Sequence, residues 1–186
     1  RLPPLPVPGT HNRQNAAVAI ALTRLVCRDA RGLPDAMASY QGLDHRLRPV
    51  PCGLDRRCFD DSASTTPEST IAALGAIAGP VWLLAGGKNK GMDMEPLLAA
   101  IRQKTAGAAF FGSVAREACE RLISKERAYR CVAVDSLEKA FDWALSHSRE
   151  GDAIVLSPGF ASTDQFANYE ERAEAFVRVV RRRQER

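Results

Sequence analysis

Four short apolar runs, at residues 81–85, 108–111, 129–132 and 153–156, are each followed by a longer stretch that is apolar on one side only, at 95–103, 114–123, 137–146 and 165–182. The runs are too short to be helices, and the stretches between them are long enough for two turns or more. The same beat begins earlier, with a strand expected at 57–60 and a helix at 67–77 opened by Pro67. Short buried strands separated by helices are parallel βαβ units covered on both faces. The expected fold class is therefore α/β, a doubly wound and mostly parallel sheet with helices on both faces. Upstream, Ala16, Ala17, Ile20, Ala21 and Leu25 mark the apolar stripe of a helix over 12–27, Gly32 closes the turn after it, and Pro34 starts a short helix that ends before Gly42.

A length of 186 residues corresponds to about one domain with room for an appendage. No apolar run approaches the ~20 residues a membrane-spanning helix needs. The five cysteines, Cys27, Cys52, Cys58, Cys119 and Cys131, are odd in number and lack any CxxC pair or nearby histidine. Neither a disulfide scaffold nor a zinc site fits, so reduced, mostly buried thiols and a cytoplasmic protein are expected, with no metal site. The net charge of +4 owes much to Arg178, Arg181, Arg182, Arg183 and Arg186, which read as a solvated helix end complementing the helix dipole. Aromatics make up 6% and are not interleaved with basic residues, so a nucleic-acid surface is disfavoured. The chain starts at Arg1 and continues through Pro3, Pro4, Pro6 and Pro8, which reads as a piece of a longer protein.

In a doubly wound sheet, ligands sit beyond the carboxyl ends of the strands, so function is sought in the loops after Asp60, Ala85, Phe111 and Leu156. The first loop crowds Asp60, Asp61, Ser62, Ser64, Thr65 and Thr66 before Pro67. Helix capping needs one or two such residues, and six exceed it. A second loop, Gly86-Gly87-Lys88-Asn89-Lys90-Gly91, offers glycines for close approach and lysines for an anion. It has neither P-loop nor dinucleotide spacing, and a simple tight turn explains it equally well. In the last loop Ser162 and Thr163 either cap the following helix or bind a carboxylate there. The turn Gly42-Leu43-Asp44-His45-Arg46 brings a histidine and an arginine that by themselves read as surface.

In order, Gly9-Thr10-His11-Asn12 through Ala17, Gly42-Leu43-Asp44-His45-Arg46, Asp61-Ser62 with Thr65, Gly86-Gly87 with Lys90-Gly91, Asp135-Ser136, and Leu156-Ser157-Pro158 through Arg172 resemble the C-terminal part of the Mur ligases. Within that family they look like the glutamate-adding MurD branch, and the DNPR signature of the diaminopimelate- and lysine-adding relatives is missing. The resemblance implies a Rossmann-like C-terminal domain over 33–186, preceded over 1–32 by the final helix of a central ATP-binding domain and a linker. It implies that Asn12 and Asn15 contact adenine, Arg46 the nucleotide phosphates and Asp61 the ribose. Thr65, Lys90 and Ser162, with Tyr169 nearby, would hold the incoming glutamate, a dicarboxylate suited to charge-assisted donors. The implied partners are ATP with Mg²⁺, glutamate and UDP-N-acetylmuramoyl-L-alanine, in peptidoglycan precursor synthesis through an acyl phosphate. The catalytic machinery lies outside this chain, which alone is expected to be inactive.

The sequence departs from the family where glutamate is expected. The usual Asp-Ser-Lys-Ala-Thr-Asn reads Asp61-Ser62-Ala63-Ser64-Thr65-Thr66, an Ala-Cys pair becomes Gly159-Phe160, and a common Phe is Tyr169. The nucleotide-side residues keep their identities. This asymmetry favours the variant branch that adds L-glutamate over the ordinary D-glutamate ligase. A reading of another class is a non-catalytic nucleotide- or protein-binding module.

Overall fold

The structure, a computed structural model, describes residues 5–185, so Pro3 and Pro4 lie outside it. Six strands form one sheet: β1 (Arg48–Val50), β2 (Arg57–Asp60), β3 (Val81–Gly86), β4 (Gly107–Phe111), β5 (Cys131–Ala133) and β6 (Ala153–Gly159). Their order is β1-β2-β6-β3-β4-β5. All neighbours run parallel except β1, which pairs antiparallel with β2. That antiparallel edge is absent from the sequence expectation. It has three residues, two of them exposed, so it carries neither an apolar run nor an alternation to find.

The helices are α1 (Thr10–Val26), α2 (Leu33–Ala38), α3 (Pro67–Leu74), α4 (Glu95–Lys104), α5 (Ala115–Lys125), α6 (Leu137–His147) and α7 (Tyr169–Gln184). Alternate residues of the central strands face opposite layers. Leu83, Ala85, Phe110 and Val155 pack with Leu97, Ile101 and Leu122 beneath α3, α4 and α5. Trp82, Leu84, Phe111 and Ile154 pack with Phe141, Phe176 and Val180 beneath α6 and α7. All residues of β3 and β6 are buried, as strands covered on both faces must be.

The chain moves outward from β3 to β4 and β5, then crosses back through α6 to lay β6 between β2 and β3. That reversal opens the switch point at which such sheets take ligands, and the loops after β2, β3 and β6 surround it. The last helix starts at Tyr169, four residues later than the sequence suggests. Its cap is Asn168, whose Oδ1 accepts from Glu171 N at 2.8 Å, so Ser162 and Thr163 do not cap it.

Helix α1 stands apart. It buries only Ala16, while Val18, Leu22, Leu25 and Val26 are exposed. All five cysteines are free, and Cys27 is exposed. Cysteines far apart in sequence meet in space, Cys119 Sγ lying 2.9 Å from Cys131 Sγ, and burial pushes the Cys131 thiol up to about 12. No helix among the described residues is long and apolar enough to cross a membrane.

Candidate functional site

A cleft of about 1040 Å³ opens between α1, α2 and the β1–β2 edge, and Asn12, Asn15, Arg46 and Asp61 all line it. The structure thus brings together the four residues placed on the nucleotide side. Asn12 is anchored at the mouth, its Nδ2 donating to Pro8 O at 2.6 Å. The cleft wall also carries Met37, Tyr40, Leu43 and Phe59, apolar surface suited to a flat ring.

Arg46 sits on a strained turn. His45 (φ 60°) and Leu47 (φ 47°) on either side of it are left-handed without being glycine. Such a conformation persists only when neighbours over-determine it. Here Asp61 Oδ1 accepts from Leu47 N at 3.1 Å, His45 O accepts from Ala63 N at 3.1 Å, and Arg46 Nη1 donates to Ser64 Oγ at 3.2 Å. The result is an exposed guanidinium held by a buried frame. Asp61 is itself buried, and its Oδ2 accepts from Ser157 Oγ at 2.6 Å. Burial raises its pKa above the usual carboxylate value, opposed by the bonds from Ser157, Ser64 and Leu47 and by the Arg46 charge. Both Asp61 oxygens therefore have protein partners, which makes it first a strut of the Arg46 turn.

The polar surplus of the first loop is mostly consumed within the protein. Asp60 Oδ1 accepts from Ser62 N at 3.0 Å and from Ser62 Oγ at 2.6 Å, while its Oδ2 lies 2.7 Å from His45 Nδ1. Thr66 and Ser69 form the capping box of α3. The Thr65 hydroxyl enters none of these bonds, and Thr65 is half-buried at the end of β2.

In the second loop the glycines serve backbone packing. A Cβ on Gly86 would stand 2.0 Å from Phe111 O, and one on Gly87 would stand 2.1 Å from Ala161 O. Gly87 N already donates to Phe111 O at 3.1 Å and Lys88 N to Ala161 O at 2.8 Å, so these amides do not cradle an anion. What the loop presents is Lys90, at the tip of a turn closed by Asn89, whose Oδ1 accepts from Met92 N at 2.8 Å and whose Nδ2 donates to Met92 O at 2.9 Å. Gly91, at φ 84°, supplies the left-handed residue of that turn.

Ser162, buried after β6, offers its carbonyl to Gln165 N at 3.1 Å and Phe166 N at 3.0 Å. Tyr169 stands exposed at the rim with its ring edge-on to His45, centroids 5.9 Å apart. Its hydroxyl pKa is raised by the hydrogen bond it donates to Glu170 and by the negative charge of that residue. Thr65, Lys90, Ser162 and Tyr169 thus stand at the same end of three adjacent strands, and none lines the nucleotide-side cleft.

Sequence reasoning named Asp60, His45 and Ser157 only within their own loops and missed how they pair. Asp60 and His45 pair across fifteen positions, and Ser157 joins Asp61 across ninety-six, separations that no local pattern marks. Arg172 was legible: it falls on the buried stripe of α7 with Ala173, Phe176, Val179 and Val180, a charge at an apolar position. Among the described residues no group of three or more His, Cys, Asp or Glu is placed to hold a metal ion.

Residues 45–160 match the family model described as "Mur ligase, glutamate ligase domain". Over 172 residues the chain is 35% identical to a protein of Desulfatibacillum aliphaticivorans named UDP-N-acetylmuramoylalanine–D-glutamate ligase, covering 92% of this chain and 38% of that protein. A protein of the same name from Geobacillus kaustophilus is 36% identical over 181 residues, covering 97% and 40%. The chain therefore spans about two fifths of the length of these relatives. Among solved structures, UDP-N-acetylmuramate-alanine ligase MurC of Thermotoga maritima superposes with a TM-score of 0.69 at 17% identity, covering 98% of this chain and 40% of that one. The E. coli FolC structure, in complex with DHPP and ADP, gives 0.66 at 21% identity, covering 96% and 41%. At those identities the likeness is one of fold.

Proposed function

Because this chain belongs to the Mur ligase family through its glutamate ligase domain, we propose that it serves as the glutamate-presenting part of an ATP-dependent ligase that joins glutamate to UDP-N-acetylmuramoyl-L-alanine. The observation that carries the proposal is the division of the site. Four nucleotide-side residues converge on one cleft, and the glutamate-side residues stand on the loops of the neighbouring switch point. In this reading the adenine lies against Asn12 and Asn15, Arg46 meets the phosphates, and Asp61 meets the ribose through its remaining lone pairs. Thr65, Lys90, Ser162 and Tyr169 receive the glutamate carboxylates.

Residues 1–32 are the final helix of a central ATP-binding domain with its linker, and 33–186 are the glutamate domain. The scant burial of α1 and its exposed Val18, Leu22, Leu25 and Val26 support that division, since such a face is covered by another body. Within the whole enzyme the alanyl carboxylate takes the terminal phosphoryl group of ATP, the glutamate amine attacks the acyl phosphate, and phosphate leaves. This chain's part is to bind and orient, which fits a site of anchored donors. Mg²⁺, expected with ATP, has no ligand cluster among the described residues, and no step assigned to this chain runs through it. The chain by itself is expected to be inactive.

The hand of the glutamate follows from the altered positions. The relatives' names carry D-glutamate. Here Ala63 stands where the family pattern has lysine, directly beside the Arg46 turn, and Tyr169 puts a hydroxyl on the rim. These changes favour L-glutamate. Phosphate release by the full-length ligase with ATP and UDP-N-acetylmuramoyl-L-alanine, comparing the two enantiomers, tests both levels. Turnover with L over D supports the whole proposal, turnover with D over L leaves a D-glutamate ligase, and no turnover with either overturns the ligase assignment.

A further inference from the structure

The guanidinium of Arg172 is fully buried, yet no carboxylate among the described residues lies within ion-pairing distance of it. Its partners are backbone carbonyls. Nη1 donates to Phe160 O at 3.1 Å and to Gly86 O at 3.4 Å, and Nη2 donates to Ser62 O at 3.0 Å. Nε is buried without a partner among the described residues. Those three carbonyls come from three places at one end of the sheet: Phe160 and Ser62 from the loops that follow β6 and β2, and Gly86 from the last residue of β3, where the next loop begins.

Stability alone does not call for an arginine there. The rest of the buried stripe on α7 is Ala173, Phe176, Val179 and Val180. An apolar residue of similar volume would continue it, and buried charges exchanged for well-packed apolar groups commonly leave a protein no less stable. What an apolar residue lacks is a planar fork able to reach several acceptors in fixed directions. Burial draws the Arg172 pKa down to about 10, opposed by the charges of Asp164 and Asp60, so the group remains ionised at neutral pH.

Building on the function proposed above, we infer that Arg172 is the positioning residue of the glutamate site: one guanidinium ties the loops after β2 and β6 to the end of β3, where the Lys90 loop begins, and so sets the spacing of Thr65, Lys90 and Ser162. Each of those residues follows a clamped carbonyl closely in sequence, Thr65 after Ser62, Lys90 after Gly86 and Ser162 after Phe160. The loops also bond to one another directly, through Lys88 N to Ala161 O and Gly159 N to Ser64 O at 2.9 Å. Among the described residues Arg172 is the one side chain that hydrogen-bonds to all three. It reaches no cleft surface, so its effect on glutamate passes through the loops.

The test uses the full-length ligase carrying Arg172→Lys, which keeps the charge and loses the fork. The KM for glutamate should rise about tenfold, with the KM values for ATP and UDP-N-acetylmuramoyl-L-alanine changed less than about twofold. Phe176→Leu, one turn along the same buried stripe but packed among the apolar residues beneath α6 and α7, supplies a control of comparable thermal destabilisation and should leave the glutamate KM unmoved. A folded Arg172→Lys enzyme with an unchanged glutamate KM overturns the inference, as does a rise in all three KM values together or an equal shift in the control. If the variant does not fold, amide exchange in the unaltered ligase decides. Asp61, Lys88 and Gly159 should open as one cooperative group, and separate opening of the three overturns the clamp. Absence of glutamate turnover in the unaltered enzyme would sink the proposed function, and the exchange measurement would still judge the clamp.

Discussion

The two halves of the site are built in opposite ways. On the side proposed for the nucleotide, Asn12, Asn15, Arg46 and Asp61 line an open cleft, one wall of which is a helix with a single buried residue. On the side proposed for glutamate, Thr65, Lys90 and Ser162 stand on loops crossed by backbone bonds, glycine contacts and a buried arginine. A rigid frame tolerates a change in what it displays, because a different side chain at Ala63 or Tyr169 leaves the backbone bonds beneath intact. Asn12 and Asn15, on a helix with one buried residue, have no such frame beneath them.

The largest expected effect strikes the frame. Gly87→Ala forces a Cβ against Ala161 O at φ 126°, and a loss of about 3 kcal/mol is expected in denaturant unfolding. A mild loss would mean that the frame yields and the contrast fails. Next comes the cleft: Arg46→Ala in the full-length enzyme should lower kcat/KM by about a hundredfold, equivalent to about 2.7 kcal/mol, with the fold intact. Its bond to Ser64 is the only side-chain bond it would forfeit among the described residues. Restoring the family residue with Ala63→Lys should shift the L-to-D glutamate preference toward D by about tenfold in competing-substrate assays. An unchanged ratio would separate Ala63 from stereochemistry.

The smallest effect is a pH dependence. Burial raises the Asp61 pKa in the folded protein, so the folded state binds this proton more tightly than the unfolded chain. The contribution is full below the ordinary carboxylate value of 3.8 and is lost as pH rises through the raised folded value. Asp61→Asn lacks it, so the variant should gain on the parent as pH climbs from 3.8 toward neutrality. Melting curves across that range check the sign, and a variant that loses ground with rising pH would contradict it.

Much of the frame was legible in the sequence because burial writes a local pattern. The runs at 81–85 and 153–156 became β3 and β6, and each expected helix formed. What escaped has a physical reason in each case. Pro49 and its exposed neighbour Arg48 give β1 no apolar signature, so only pairing with β2 makes it a strand. The start of α7 moved because Asn168 offers a better cap than Ser162, whose carbonyl is spent on Gln165 and Phe166. The glycine pair looked equally like a ligand cradle and a turn, and the deciding contacts come from Phe111 and Ala161, which are distant in sequence. The Asp60–His45 and Asp61–Ser157 bonds likewise exist only after the sheet has formed.

Both borders of the sheet are three-residue strands, β1 on one side and β5 on the other. A long, flat border would offer its unused amides and carbonyls as a template on which a second molecule could add a strand. Here neither border is long enough to hold one, and on β1 the middle residue is Pro49, which has no amide hydrogen to give. The central strands, the most apolar part of the sequence, are enclosed by those short margins. The folded protein is thereby guarded against edge-to-edge aggregation by the brevity of the same strand that its sequence concealed.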